Sequence, residues 1–162
     1  MREFHSLAAF SEHLLKIAAV QELLVKNAVS HCAKIVEKEA KHEIGAYQSQ
    51  IGPFIAWPEL TESTKDDRLR QGYPEDAPLL RSGEMRESIG TTISVDGLEA
   101  QIGSNDDKAV WQELGTVHIP PRSFLGGAMA RKLPEIHQIL GATVMTALIG
   151  EKVFNRALPI EP

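Results

Sequence analysis

From Glu3 to Ile44 the chain contains neither Gly nor Pro, and that absence constrains its fold more than any other feature. Gly and Pro are the residues that weaken, kink or stop a helix in its interior. The stretch is therefore predicted to be helical throughout. Apolar residues return at Phe4, Leu7, Phe10, Leu14 and Ile17, and again at Leu24, Val25, Ala28, Val29, Cys32, Ile35 and Val36. Steps of three and four put each set on one face, the stripe that a helix buries. A single rod would be about 60 Å long at 1.5 Å per residue. Few helices run so far without coiled-coil heptads, so the expectation is a shorter helix and a longer one. The turn or kink would fall near Ala18 to Gln21, with a stop at Gly45.

A hairpin over residues 89–103 follows from Asp96-Gly97, a pair that favours a two-residue turn because both central positions want positive φ. Folding about it pairs Val95 with Leu98, Ile93 with Ala100, and Thr91 with Ile102, all on one face. Ser94, Glu99, Thr92 and Gln101 fall on the other. The first face is predicted to pack on the core and the second to meet solvent or a partner.

Asn105 or Asp106 then caps a helix that runs to Leu114 and ends at Gly115 in a left-handed conformation. An extended arm follows, stiffened by Pro120-Pro121. Ser123 caps another helix through Phe124, Leu125, Ala128, Met129 and Leu133, which Pro134 either kinks or restarts. Ile136, Ile139, Leu140, Val144 and Leu148 carry its apolar stripe to Gly150. The fold class expected is α+β: N-terminal helices and a C-terminal helix packed on a small antiparallel sheet. A chain of 162 residues fits one domain over residues 1–150, followed by an extended tail over 151–162.

Residues 46–78 are rich in Pro, Gly, aromatics and mixed charge, and so long a connection is usually functional or flexible. Within it Ser63-Thr64-Lys65-Asp66-Asp67-Arg68 suits a helical turn. From Pro53 to Pro78 the loop is expected to be mobile in the lone chain and ordered by a neighbour, on which Phe54, Ile55, Trp57 and Leu60 would dock.

Few kinds of chemistry are suggested. With 17 basic and 22 acidic residues the net charge is -5, and no basic stripe offers itself to nucleic acid. Cys32 has no second cysteine to pair with, which suits a reducing compartment. No 18-residue apolar run predicts a membrane span. His5, His13, His31, His42, His118 and His137 form no i, i+3 or i, i+4 pair, so no metal site is expected. Glu84, Glu87, Asp106 and Asp107 read as caps and solvated surface. There is no G-x-S-x-G elbow, P-loop or G-x-G-x-x-G turn, and no catalytic residue or cofactor is assigned. Gly126-Gly127 would permit a close approach of two backbones. Glu113, near a helix C-terminus, opposes the helix dipole and invites a cation. Arg122 is the nearest good candidate, either within the chain or across subunits.

Two segments resemble the tail-completion (virion morphogenesis, minor tail) proteins of long-tailed bacteriophages. The first is Trp111, Glu113, Gly115, Thr116, Pro120, Arg122, Phe124 and Leu125, set against an aromatic-x-x-Glu-x-Gly-Thr run, in which Trp111 stands one position nearer the Glu, and a Pro-x-Arg-x-Phe-Leu run. The second starts at Trp57-Pro58 and Leu60 and continues through Leu80-Arg81-Ser82-Gly83 to Ser88-Ile89. Met85 stands where the family often has Leu, and Pro121 adds a second proline to the arm. The resemblance implies a non-enzymatic α+β subunit of the head–tail neck or head-proximal tail end. Such subunits form rings, commonly sixfold, made in the bacterial host cytoplasm and carried in the virion. Its partners would be copies of itself and the neighbouring connector and tail-tube proteins, with no membrane. The interface residues expected are Trp57, Leu60, Trp111, Glu113, Thr116, Pro120, Arg122 and Phe124. A small soluble enzyme or a regulatory binding protein is the alternative.

Overall fold

In the computed structural model, which describes residues 5–149, α1 (Leu7–Glu43) is one unbroken helix of 37 residues. The kink expected near Ala18 to Gln21 is not made. Length alone argued for it, and the local sequence argues the other way. Ala, Leu, Glu and Gln around that point are strong helix formers. Glu12 with Lys16, Glu22 with Lys26 and Glu37 with Lys41 are i, i+4 ion pairs of 2.6 to 2.7 Å. In each the acid lies on the N-terminal side, the orientation that favours a helix.

The remaining elements are α2 (Glu62–Arg70), α3 (Glu84–Glu87), β1 (Ile89–Ile93), β2 (Ala100–Ser104), α4 (Asp107–Leu114) and α5 (Leu125–Ile149). The fold is α+β, with β1 and β2 forming a two-stranded sheet. Pro134 lies inside α5 without ending it. Phe4, Gly150 and the tail over 151–162 lie outside the described residues.

Packing divides the described residues into two compact units. One holds residues 33–92 and 100–133. Its interior is built from Val36, Ala40 and Ile44, with Trp57, Met85, Ile89, Ala109, Phe124 and Ala128. The irregular connection contains the nine-residue α2 and is gathered by Arg68. That guanidinium donates to the carbonyls of Ala77 at 2.6 Å, Leu80 at 2.9 Å and Pro74 at 3.4 Å. Trp57, expected to await a neighbour, is buried here. Leu79 adopts a positive φ of 62°, uncommon for a residue with a side chain. Glu43 is buried and paired with Arg131, which also donates to the Ser49 carbonyl at 2.9 Å.

The other unit holds residues 5–32, 93–99 and 134–149. Ala28, Cys32, Ile136, Ile139, Thr143, Thr146 and Ala147 are its buried residues. The buried stripe of α5 thus runs through Thr143 and Thr146, and the expected Leu140 and Val144 face outward. Thr143 can be buried because its hydroxyl donates to the Ile139 carbonyl at 2.8 Å.

In the hairpin, Ser94 N–H donates to the Glu99 carbonyl at 3.0 Å. That bond sets Ile93 opposite Ala100 and Thr91 opposite Ile102, the register expected. The turn differs. Gly97 N–H donates to the Ser94 carbonyl at 2.9 Å, which puts Val95 and Asp96 at its centre. Only Gly97, at 75°, has a positive φ. The Asp96 carboxylate accepts from the Ser94 hydroxyl at 2.5 Å and from Leu98 N–H at 3.0 Å, and so holds this wider loop of four residues, 95–98. The predicted apolar face is only partly covered. Thr91, Ala100 and Ile102 are half-buried, whereas Ile93, Val95 and Leu98 are exposed.

Candidate functional site: the joint between α4 and α5

α4 starts as its sequence requires, with the Asp106 carboxylate accepting Lys108 N–H at 2.9 Å. It ends at Gly115, whose φ of 76° and ψ of 172° lie outside the left-handed helical region expected. That conformation is essentially open to glycine alone. A Cβ at Gly115 would also lie 2.9 Å from Pro121 Cδ and 3.0 Å from the Ile119 carbonyl oxygen.

The segment that follows is folded back, not extended as an arm. Thr116 N–H donates to the Ile119 carbonyl at 2.8 Å, while the Thr116 hydroxyl accepts Ile119 N–H at 3.1 Å. Arg122 N–H then returns to the Gln112 carbonyl at 2.7 Å and ties the segment to α4.

Glu113 and Arg122 do not pair. The Glu113 carboxylate accepts Phe124 N–H at 2.8 Å, and Leu125 N–H and Gly126 N–H at 2.9 Å each, and it also takes the Ser123 hydroxyl. These are the orphan donors of the first turn of α5, where the helix dipole favours negative charge. The cation that Glu113 was expected to need is thus the positive end of a helix. Ser123, the expected cap, supports the carboxylate that does the capping. Arg122 is 6% exposed and uses Nε and Nη2 on the Pro58 carbonyl, at 3.2 and 2.8 Å. It joins the segment at Trp57-Pro58 to the one at residues 120–125 within one unit.

Phe124 is 0% exposed. It is a core residue and cannot anchor a neighbour, which corrects its assignment to an interface, as burial does for Arg122 and Trp57. Gly126 gives its missing side chain to the Phe54 ring, since a Cβ there would sit 2.5 Å from Phe54 Cζ. Gly127 likewise leaves room for Glu43 and Arg131. The glycine pair does permit close approach, of side chains and not of backbones.

Leu60 and Glu113 are half-buried, and Thr116 and Pro120 are exposed. Trp111 is 51% exposed, and beside it in sequence Leu114 is 74% and Val117 96% exposed. Val110 is exposed too. Leu114 and Val117 carried no signal in the sequence, because single apolar residues near a helix end read as core.

Sequence reasoning also missed Arg68, Glu43 and Arg131. Arg68 stands in a charged run that reads as solvated surface. Glu43 and Arg131 are 88 positions apart, on separate helices, with nothing in the sequence to connect them. Burial pushes the Glu43 carboxyl up to about 7, although Arg131 pulls the other way. Among the described residues no group of three or more His, Cys, Asp or Glu is placed to hold a metal, and no helix is long and apolar enough to cross a membrane.

No known protein family, curated protein or solved structure matches the chain.

Proposed function

We propose that this chain is a structural subunit of the head–tail neck or head-proximal tail end of a long-tailed phage or phage-like particle. It assembles with copies of itself into a ring, sixfold as the resemblance implies, between connector and tail-tube proteins. One observation carries the reading: the residues of the signature serve a single joint. Glu113 closes the first turn of α5, Gly115 permits the return of the chain, Arg122 ties the joint to Pro58, and Phe124 fills the core beneath it. A signature spent on such a joint fixes how Trp111, Leu114 and Val117 are presented. Trp111 and Leu114, three positions apart on α4, share a helix face, and large exposed apolar side chains grouped in this way commonly mark a surface that meets another protein.

Quantifying the chain in purified particles tests the proposal. A fixed, ring-sized copy number at the head–tail junction is expected. Absence from particles, or a copy number that grows with tail length, contradicts it.

A further inference from the structure

A cavity of about 490 Å³ opens in the unit formed by residues 33–92 and 100–133, between α2, the segment from Leu79 to Met85, and the segment from His118 to Arg122. Four cations and three carboxylates line it. Arg81 lies 3.5 Å from Asp67, and Lys108 lies 3.9 Å from Glu84. The third acid, Glu59, forms no ion pair with either remaining cation, Arg68 or Arg122.

Those two arginines are the buried ones, at 8% and 6% exposure. Each is held by backbone carbonyls and has no carboxylate partner. Arg68 uses only Nη1, on Pro74, Ala77 and Leu80. Arg122 uses Nε and Nη2, on Pro58 and Glu59. Arg68 Nε and Nη2 and Arg122 Nη1 therefore have N–H groups without a protein acceptor, and none of these atoms is sealed from solvent. Burial holds both guanidinium groups below the usual arginine range. The like charge of a neighbour adds to it, Arg81 acting on Arg68 and Arg68 on Arg122, while Tyr47 opposes it at both and the Asp76 carboxylate, not in contact, opposes it at Arg68.

Two buried cations with no carboxylate in direct contact are costly, and the cost falls when an anion enters with matching hydrogen bonds. The lining selects which anion. Its formal balance leaves one positive charge, which suits a monoanion, and Asp67, Glu84 and Glu59 repel a phosphate dianion. Leu60, Leu79, Met85 and Ile119 give the same cavity apolar walls. No hydroxyl in the lining hydrogen-bonds a histidine or carboxylate side chain, so the geometry is that of a binding site and not of a nucleophile with its base.

We propose that this cavity binds a monocarboxylate carried on an apolar body, through the unused N–H groups of Arg68 and Arg122. The carboxylate belongs either to a free organic acid or to an acidic side chain of another protein. The site stands whether or not the chain is a virion subunit.

Titration of the full chain, followed by NMR of the arginine guanidinium groups, tests this with four probes. These are hexanoate, its neutral isostere hexanamide, inorganic phosphate, and N-acetylglutamic acid amide, which presents the group as a protein side chain does. Saturable binding of a carboxylate probe is expected, with shifts at Arg68 and Arg122, and with hexanamide and phosphate weaker by about tenfold or more. Tighter binding of hexanoate assigns the site to a free acid, and tighter binding of the blocked glutamate assigns it to a protein side chain. Arg122→Lys, with its fold checked by circular dichroism, should weaken binding by about tenfold. If that variant does not fold, the acid-against-amide comparison on the natural chain decides alone. Failure of both carboxylates to saturate, equal binding of acid and amide, or phosphate bound as tightly as carboxylate overturns the proposal.

Discussion

Glu113, the next-to-last residue of α4, accepts the backbone N–H of Leu125 at 2.9 Å, so the end of one helix holds the start of the next. At the C-terminus of α4 alone that carboxylate would oppose the dipole by a few tenths of a kcal/mol. The N–H groups of Phe124 and Gly126, together with the dipole of α5, more than offset the penalty.

Replacing Glu113 therefore separates charge from hydrogen bonding. Glu113→Gln keeps an acceptor and loses the charge, and should cost about 1 kcal/mol. Glu113→Ala leaves the first-turn donors unmet and should cost about 2 to 3 kcal/mol. Chemical denaturation of the two variants beside the natural chain measures both. Equal stability of all three would show that the contact is incidental.

Two glycines with positive φ should respond unequally to Ala. At Gly115 the new Cβ meets Pro121 and the Ile119 carbonyl, in a conformation that only glycine adopts readily. The loss there should be about 3 kcal/mol or more. At Gly97 the nearest atom is Lys26 Cγ, 2.9 Å away on a side chain that can swing aside. The loss should be about 1 kcal/mol. Thermal melts that rank the two the other way contradict the geometry of the joint.

Glu43 makes folding depend on pH. Its carboxyl rises from 4.5 to about 7 because burial disfavours the charged form. An acid raised on folding stabilises fully below its unfolded value, and that contribution is lost as pH climbs through the folded value. Stability should fall between pH 4.5 and about 7 by at most about 3 to 4 kcal/mol, at 1.36 kcal/mol per unit. Glu43→Gln should flatten that slope. The prediction fails if the variant and the natural chain show the same slope over this range.

Local rules were legible in the residues themselves. Asp106 announces the start of α4, and Gly115 its end. The apolar spacing of Ala28, Cys32 and Val36 marks the buried face of α1. The hairpin register followed from the alternation around Asp96-Gly97, but its turn did not, because the Asp96 side chain selects a different one. The candidate site was legible as a segment and misread as a set of contacts. Opposite charges suggest an ion pair, so Glu113 and Arg122 invited one. Each instead satisfies backbone groups, an N-terminus in one case and the Pro58 carbonyl in the other. Backbone partners leave no trace in composition or spacing. Phe124 was misassigned for a related reason, since an aromatic in an irregular segment serves a core as readily as an interface.

The central claim is that the joint presents Trp111 and Val117 to another subunit. Arg122 and Phe124 cannot test it, because both are buried and their loss would damage the fold. Trp111→Asp combined with Val117→Asp is the direct test, since both side chains are largely exposed. An apolar anchor at an interface centre commonly contributes on the order of 2 kcal/mol or more. The variant is supplied to cells that form particles but lack the natural chain, with circular dichroism recorded on the purified protein. The account predicts a folded variant, and separate heads and tails by electron microscopy. A folded variant that yields complete tailed particles in normal numbers would contradict it.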